Sequence, residues 1–187
     1  MWHHMRVVVR SDPHAVYDGW VAPRLDTFLG PAFERLVAPT YERLRSDLGL
    51  PLVRTWGRWE GQDRDRRSIE VDVVAELVDG RVLSGAVKWN RKPLSAAVLF
   101  DHLEAVRRAA RAGRRWAHAA HAGPLLFLAA GGYEPGFLAA ATAHATPVLA
   151  WSLEEIYAAP TGDAPEKQLA RLGGSQPHLR APRRRRP

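Results

Sequence analysis

The sequence predicts an α/β fold in which a mixed central sheet is flanked by helices. Three observations carry that expectation. Between residues 24 and 47, Leu25, Phe28, Leu29, Ala32, Phe33, Leu36 and Val37 recur at three- and four-residue spacing, as on a helix with one buried face. Residues 69–89 instead alternate apolar and polar side chains, the period of a strand with one face covered. Residues 125–129 (Leu-Leu-Phe-Leu-Ala) form an unbroken apolar run between Pro124 and Gly131-Gly132, which suits a parallel strand buried on both faces.

Taken in order, residues 1–22 read as an irregular entry segment with Trp20 and Val21 as its docking points. The helix over residues 24–47 contains Pro31 and Pro39, which must kink or divide it. Three strand-like runs follow at 52–59, 68–77 and 81–89, with a purely polar loop, residues 60–67, between the first two. A second helix spans 94–112 and stops at Gly113. After the strand at 125–129 come a weaker helix at 136–144, a short strand at 147–151 and a last helical turn at 153–157. Ser152 caps that turn, with Glu155 at its third position. The order is α-β-β-β-α-β-α-β-α: three strands that meander, then two that enter by crossover.

Length permits one domain with a substantial core, placed at residues 23–158. The chain has no cysteine, which excludes disulfides and thiolate metal sites and makes a reducing cytoplasm the expected setting. The opening Met1-Trp2-His3-His4-Met5-Arg6 lacks an apolar core, so no secretory leader is expected. The most apolar stretch, residues 123–151, is interrupted by glycine and proline and is not expected to span a bilayer. The net charge of +7 invites a nucleic-acid partner, but residues 161–187 alone hold seven basic residues against two acids. Residues 159–187 therefore read as a basic, disordered tail ending in Arg183-Arg184-Arg185-Arg186. Against 24 arginines there are three lysines, so Lys88 inside an apolar strand stands out.

The hairpin at residues 69–89 is the most informative stretch. Ile69, Val71, Val73, Ala75 and Leu77 alternate with Glu70, Asp72, Val74 and Glu76; then Leu83, Gly85, Val87 and Trp89 alternate with Val82, Ser84, Ala86 and Lys88. A two-residue turn at Asp79-Gly80 would set Asp72 opposite Val87 and mix the two faces. A three-residue loop, Val78-Asp79-Gly80 with Gly80 left-handed, pairs Leu77 with Arg81 and Asp72 with Ala86. Glu70 then faces Lys88, and one polar patch gathers Glu70, Asp72, Ala86 and Lys88. On spacing alone the patch also fits an ordinary cross-strand ion pair.

Two stretches shift the weight toward chemistry. Residues 24–34, Arg-Leu-Asp-Thr-Phe-Leu-Gly-Pro-Ala-Phe-Glu, resemble the f-h-G-x-x-F-E helix (h apolar) of a domain found C-terminal to the ATPase module of archaeal-type and bacterial AAA+ proteins. That domain of unknown function is assigned to the PD-(D/E)XK, or restriction endonuclease-like, nuclease superfamily. Its E-[IV]-D-h-V-A strand is matched by Glu70-Val71-Asp72-Val73-Val74-Ala75, and its G-E-x-K-W strand by Gly85, Val87, Lys88 and Trp89. The resemblance covers residues 20–158, closes at Val148 to Tyr157, and implies an αβββαβ core. It also implies a Mg²⁺- or Mn²⁺-dependent phosphodiesterase acting on DNA. Asp72 would be the metal ligand, Lys88 the group that activates water and Glu34 a helix-borne assistant. The strand-three acid is absent, its place taken by Ala86, and Glu70 is the first substitute ligand, ahead of Glu76 and Glu104. The alternative is a catalytically inactive module that binds nucleic acid or protein and works with an AAA+ ATPase supplied in trans.

Other candidates are weaker. Arg54, Arg58, Arg91 and Lys92 are the expected phosphate contacts, with Trp56 and Trp59 as stacking residues. The odd spacing of those tryptophans puts them on opposite faces, so at least one belongs to the core. His118 and His121 lack a third ligand, and Gly131-Gly132 matches no nucleotide-binding loop.

Overall fold

The computed structural model describes residues 12–157. The expected basic tail and the first eleven residues of the entry segment lie outside them. Asp12 caps α1 (Pro13–Val16), its carboxylate accepting from the Ala15 N–H at 2.9 Å, while Pro13 pre-sets the first turn. A π-helical turn, Tyr17–Val21, leads into α2 (Ala22–Glu34). Residues 13–21, expected to be irregular, are therefore helical, because a cap and an N-terminal proline begin the turn. Trp20 and Val21 do not dock on the core but are exposed; Val16 is the buried residue, and the Arg24 guanidinium lies over the Trp20 ring at 5.5 Å.

The long helix expected over residues 24–47 is two helices, α2 and α3 (Val37–Arg45), parted at Arg35 and Leu36. Pro39 falls in the first turn of α3, where a missing N–H leaves no bond unmade, and Pro31 stays inside α2. The strands are β1 (Val53–Gln62), β2 (Ser68–Leu77), β3 (Val82–Lys88), β4 (Leu125–Ala129) and β5 (Val148–Ser152), and they lie in that order in one sheet. β1, β2 and β3 are antiparallel; β4 pairs parallel to β3 and β5 parallel to β4. The β3-to-β4 connection carries α4 (Ala96–Arg111) and the short α5 (Arg115–Ala120); α6 (Pro135–Thr142) links β4 to β5, and α7 (Leu153–Tyr157) follows. The predicted α/β class, αβββαβ order and mixed sheet are those of the molecule. β1 runs on to Gln62, into residues expected to be loop, since Glu60, Gly61 and Gln62 pair with Glu70, Ile69 and Ser68.

Helices cover both faces of the sheet. On one, Phe33, Val37 and Tyr41 pack with Ile156 against Val73, Ala75, Leu77, Leu83, Val87, Leu126 and Leu128. On the other, Leu99 of α4 and Phe137 of α6 pack on Ala86, Phe127 and Ala129, while Val106, Ala109 and Ala117 pack on Ile69, Val71 and Val82. Tyr41 is fully buried; its hydroxyl donates to the Pro51 carbonyl at 2.9 Å, and burial pushes the phenol up to about 12. The predicted capping box is in place: the Ser152 N–H donates to Glu155 Oε2 at 2.8 Å, and Ser152 Oγ accepts from the Glu154 N–H at 3.1 Å. No helix among the described residues is long and apolar enough to cross a membrane.

β3 is buried along its length, and its approach to β4 requires a glycine. A Cβ on Gly85 would stand 1.7 Å from the Leu126 carbonyl oxygen, a backbone atom that cannot swing away. Gly85→Ala is therefore expected to destabilise the fold by at least about 1–3 kcal/mol. Gly30, inside α2 with nothing within 4 Å of its would-be Cβ, is the opposite case. Gly30→Ala should stabilise by up to about 1 kcal/mol through helix propensity. Urea unfolding of the two variants gives both signs in one experiment.

Candidate functional site

The β2–β3 turn has the three-residue form. The Leu77 N–H donates to the Arg81 carbonyl at 2.9 Å, Gly80 sits at φ +86°, and the ladder pairs Glu76 with Val82, Ala75 with Leu83, Val74 with Ser84 and Val73 with Gly85. That register, continued, brings Asp72 to Ala86 as expected. The ladder does not continue. Val73 with Gly85 is its last pair, and β2 and β3 separate beyond it.

A bulge on β2 causes the separation. Gly57 of β1 pairs with Val74 and Trp59 with Val71, so Arg58 alone stands opposite both Asp72 and Val73. The extra residue changes which face each half of β2 presents. Val73, Ala75 and Leu77 pack toward α2 and α3, whereas Ile69 and Val71 pack toward α4 and α5. Glu70 lines one cavity with Asp72, Ala86 and Lys88, as expected, but is not paired with the lysine. Its carboxylate accepts from Arg58 at 2.6 Å instead of facing Lys88.

Asp72, at the bulge, reaches across the gap. Its Oδ2 accepts from the Val87 N–H at 2.9 Å and from the Lys88 ammonium at 2.9 Å. The carboxylate is 10% exposed and the lysine side chain 44% exposed, so the ammonium reaches solvent from a mostly buried anchor. Asp72 and Lys88 are thus brought together, as the sequence predicts, but as a closed pair.

Glu34 is turned elsewhere. With Glu60 and Glu70 it surrounds the Arg58 guanidinium, at 4.0 Å in its own case. Arg58, expected to meet phosphates, is occupied by these carboxylates. Glu104 pairs with Arg107 and Arg111 along α4, and Glu76 lies toward the turn end of β2, so neither replaces the missing strand-three acid.

Glu70, Asp72, Ala86 and Lys88 line a cavity of about 230 Å³ closed on its far side by Asp101 and His102 of α4. His102 extends the buried stripe of Leu99, Val106 and Ala109, and one ring nitrogen, Nε2, lies 3.0 Å from the Ser84 hydroxyl beneath it. Burial pushes His102 down to about 4; the Asp72 carboxylate opposes that shift and the Lys88 ammonium adds to it. The imidazole is therefore neutral at pH 7. Asp101, His102 and Ser84 were missed as site residues. A histidine at helical spacing within an apolar stripe was the available signal for one of them.

A magnesium-type ion takes six oxygen ligands at about 2.0–2.1 Å. Asp72 has one oxygen doubly engaged, Ala86 contributes none, and Glu70 and Glu34 are drawn to Arg58. Among the described residues no group of three or more His, Cys, Asp or Glu side chains is placed to hold a metal ion. These residues do not fit the Mg²⁺ or Mn²⁺ that the resemblance implies: Glu70, Asp72 and Asp101 line one cavity, but Glu70 is held by Arg58, and Asp72 by Val87 and Lys88.

Of the expected phosphate contacts, Arg91 and Lys92 are exposed just beyond β3 and, among the described residues, make no ion pair. Arg54 is also exposed, on β1. Trp56 packs edge-on to Tyr41 at 5.2 Å, and Trp59 lies on the opposite face against Trp116 at 5.3 Å, as their spacing predicts. The described residues hold eighteen basic and eighteen acidic side chains, so the +7 of the whole chain arises outside them.

Two measurements probe this arrangement. Asp72→Ala leaves the Val87 N–H without its acceptor in a buried strand and should cost about 1–3 kcal/mol in denaturant unfolding. Asp72→Asn, which keeps a carbonyl oxygen there, should cost less, and so should Lys88→Met, since the lysine side chain is 44% exposed. His102 titrates near 4 when folded and near the ordinary 6.5 when unfolded, so the unfolded chain takes up the proton first. Stability should fall by on the order of 3 kcal/mol as pH drops from about 6.5 to about 4, and His102→Gln should remove that part of the profile.

Comparison of the chain with family models, with curated proteins and with solved structures finds no match to any of them.

Proposed function

We propose that this chain is a restriction endonuclease-like module that binds DNA without cutting it. The observation that carries the reading is the Asp72 carboxylate, engaged by the Val87 N–H and the Lys88 ammonium where catalysis would need it open to a metal. The αβββαβ order and the paired Asp72 and Lys88 at the parting of two strands support descent from a nuclease-type site. Ala86 and the diversion of Glu34 and Glu70 to Arg58 support its loss of catalysis. Phosphate contacts fall to cations with no carboxylate attached, Arg91 and Lys92 first among the expected ones. With the described residues neutral in sum, attraction rests on such local groups and on the basic segments outside them.

The full chain should leave supercoiled plasmid intact in Mg²⁺ or Mn²⁺ yet raise the fluorescence anisotropy of a labelled duplex in EDTA. Binding should weaken as salt rises, and Arg91→Ala with Lys92→Ala should lower the logarithmic salt slope by about one per cation removed. Metal-dependent nicking that disappears in Asp72→Asn would return the protein to the nucleases. Failure to bind any duplex at low salt would remove DNA as the partner.

A further inference from the structure

A second concavity lies away from the Asp72 and Lys88 pair, at the turn end of the hairpin beneath α5. Its volume is about 480 Å³, within the range of sites that take small organic ligands. Arg54 of β1 and Arg115 of α5 both line it, together with Glu76, Leu77, Val82 and Trp116. Most arginines around the sheet are engaged: Arg58 by three glutamates, Arg81 by Asp79 and Arg108 by Asp63. Arg54 and Arg115 have no hydrogen bond or ion pair among the described residues, and Glu76 pairs with neither. Two guanidinium groups bordering one cavity repel each other, and an oxyanion between them removes that repulsion.

The rest of the lining narrows the ligand. Each guanidinium offers a fork of donors suited to two oxygens, so two of them are better matched by the three terminal oxygens of a phosphate monoester than by a carboxylate. A bare phosphate leaves most of 480 Å³ unfilled, and Leu77, Val82, Trp116 and Ala119 add an apolar part to a wall that also carries Glu76. The Trp116 indole N–H is enclosed and, among the described residues, donates to nothing, although buried donors are ordinarily paired. We infer that this cavity is a binding site for a small phosphate monoester with a planar organic body, of the size of a nucleoside monophosphate.

The test is calorimetry on the full chain with adenosine monophosphate, inorganic phosphate and adenosine as separate probes. The monophosphate should bind, with phosphate and adenosine each weaker by at least tenfold. Arg54→Gln and Arg115→Gln, both surface changes, should each reduce monophosphate affinity at least tenfold while the circular dichroism spectrum is unchanged. Three results would overturn the assignment: no heat from the monophosphate at millimolar concentration, affinity unaltered in both variants, or adenosine binding as tightly as its phosphate. Arg54 is also an expected DNA contact whereas Arg115 is not, so the Arg115→Gln arm, with duplex binding measured beside it, separates this site from the DNA-binding reading.

Discussion

Where β2 and β3 part, the Val87 N–H would lose its partner inside a fully buried strand, and Asp72 supplies one through its side chain at 2.9 Å. A backbone donor left unpaired in such a place costs about 1–3 kcal/mol, so the bulge that opens the hairpin is tolerated only because a carboxylate bridges the opening. That carboxylate is mostly buried and needs a counter-charge, which Lys88 provides from the next position along β3. The cavity, the closed ion pair and the exposed ammonium all follow from one extra residue in one strand. Glu70, on the wall of the same cavity, is held by Arg58 rather than by Lys88.

Much of the fold was readable in the sequence because it is written in local periodicity. The hairpin register follows from keeping apolar faces together, and the buried parallel strand β4 announces itself as an apolar run between breakers. The bulge was not readable, for a physical reason. Ile69, Val71, Val73, Ala75 and Leu77 are all buried, so the alternation runs on unbroken while the face it serves is exchanged at Asp72. With helices on both sides of the sheet, either face is apolar, and hydropathy does not distinguish them. α5 was invisible because six residues contain fewer than two helical periods. The extension of β1 was hidden by the exposed polar residues that an edge strand carries.

Charge gives a second view of the same molecule. An arginine-rich chain suggests a polyanion partner, but within the described residues acids and bases balance, and several arginines tie elements together. Arg108 joins α4 to the β1–β2 loop through Asp63 at 2.7 Å, and Arg43 of α3 donates to the Glu155 carbonyl at 3.2 Å. Residue type alone therefore says little about binding; whether a carboxylate already holds the guanidinium says more. Sequence spacing gave Arg54 and Arg58 the same standing as phosphate contacts, and the structure gives them opposite situations.

The closed pair also decides what an incoming phosphate meets. To engage Lys88 it has to compete with a carboxylate 2.9 Å away that cannot retreat, because Val87 holds the same oxygen. Approach to that carboxylate by a dianion is repulsive, and the small Ala86 offers no metal-bound charge to offset it. Phosphate contact is therefore favoured at cations outside the cavity, where no buried anion opposes it. His102, kept neutral by its burial at pH 7, adds no positive charge to the cavity wall. A nuclease site needs its carboxylate to attract a metal that then attracts the phosphate. Here the carboxylate is met by a lysine, whose single ammonium is hydrogen-bonded inward and carries half the charge of a divalent ion.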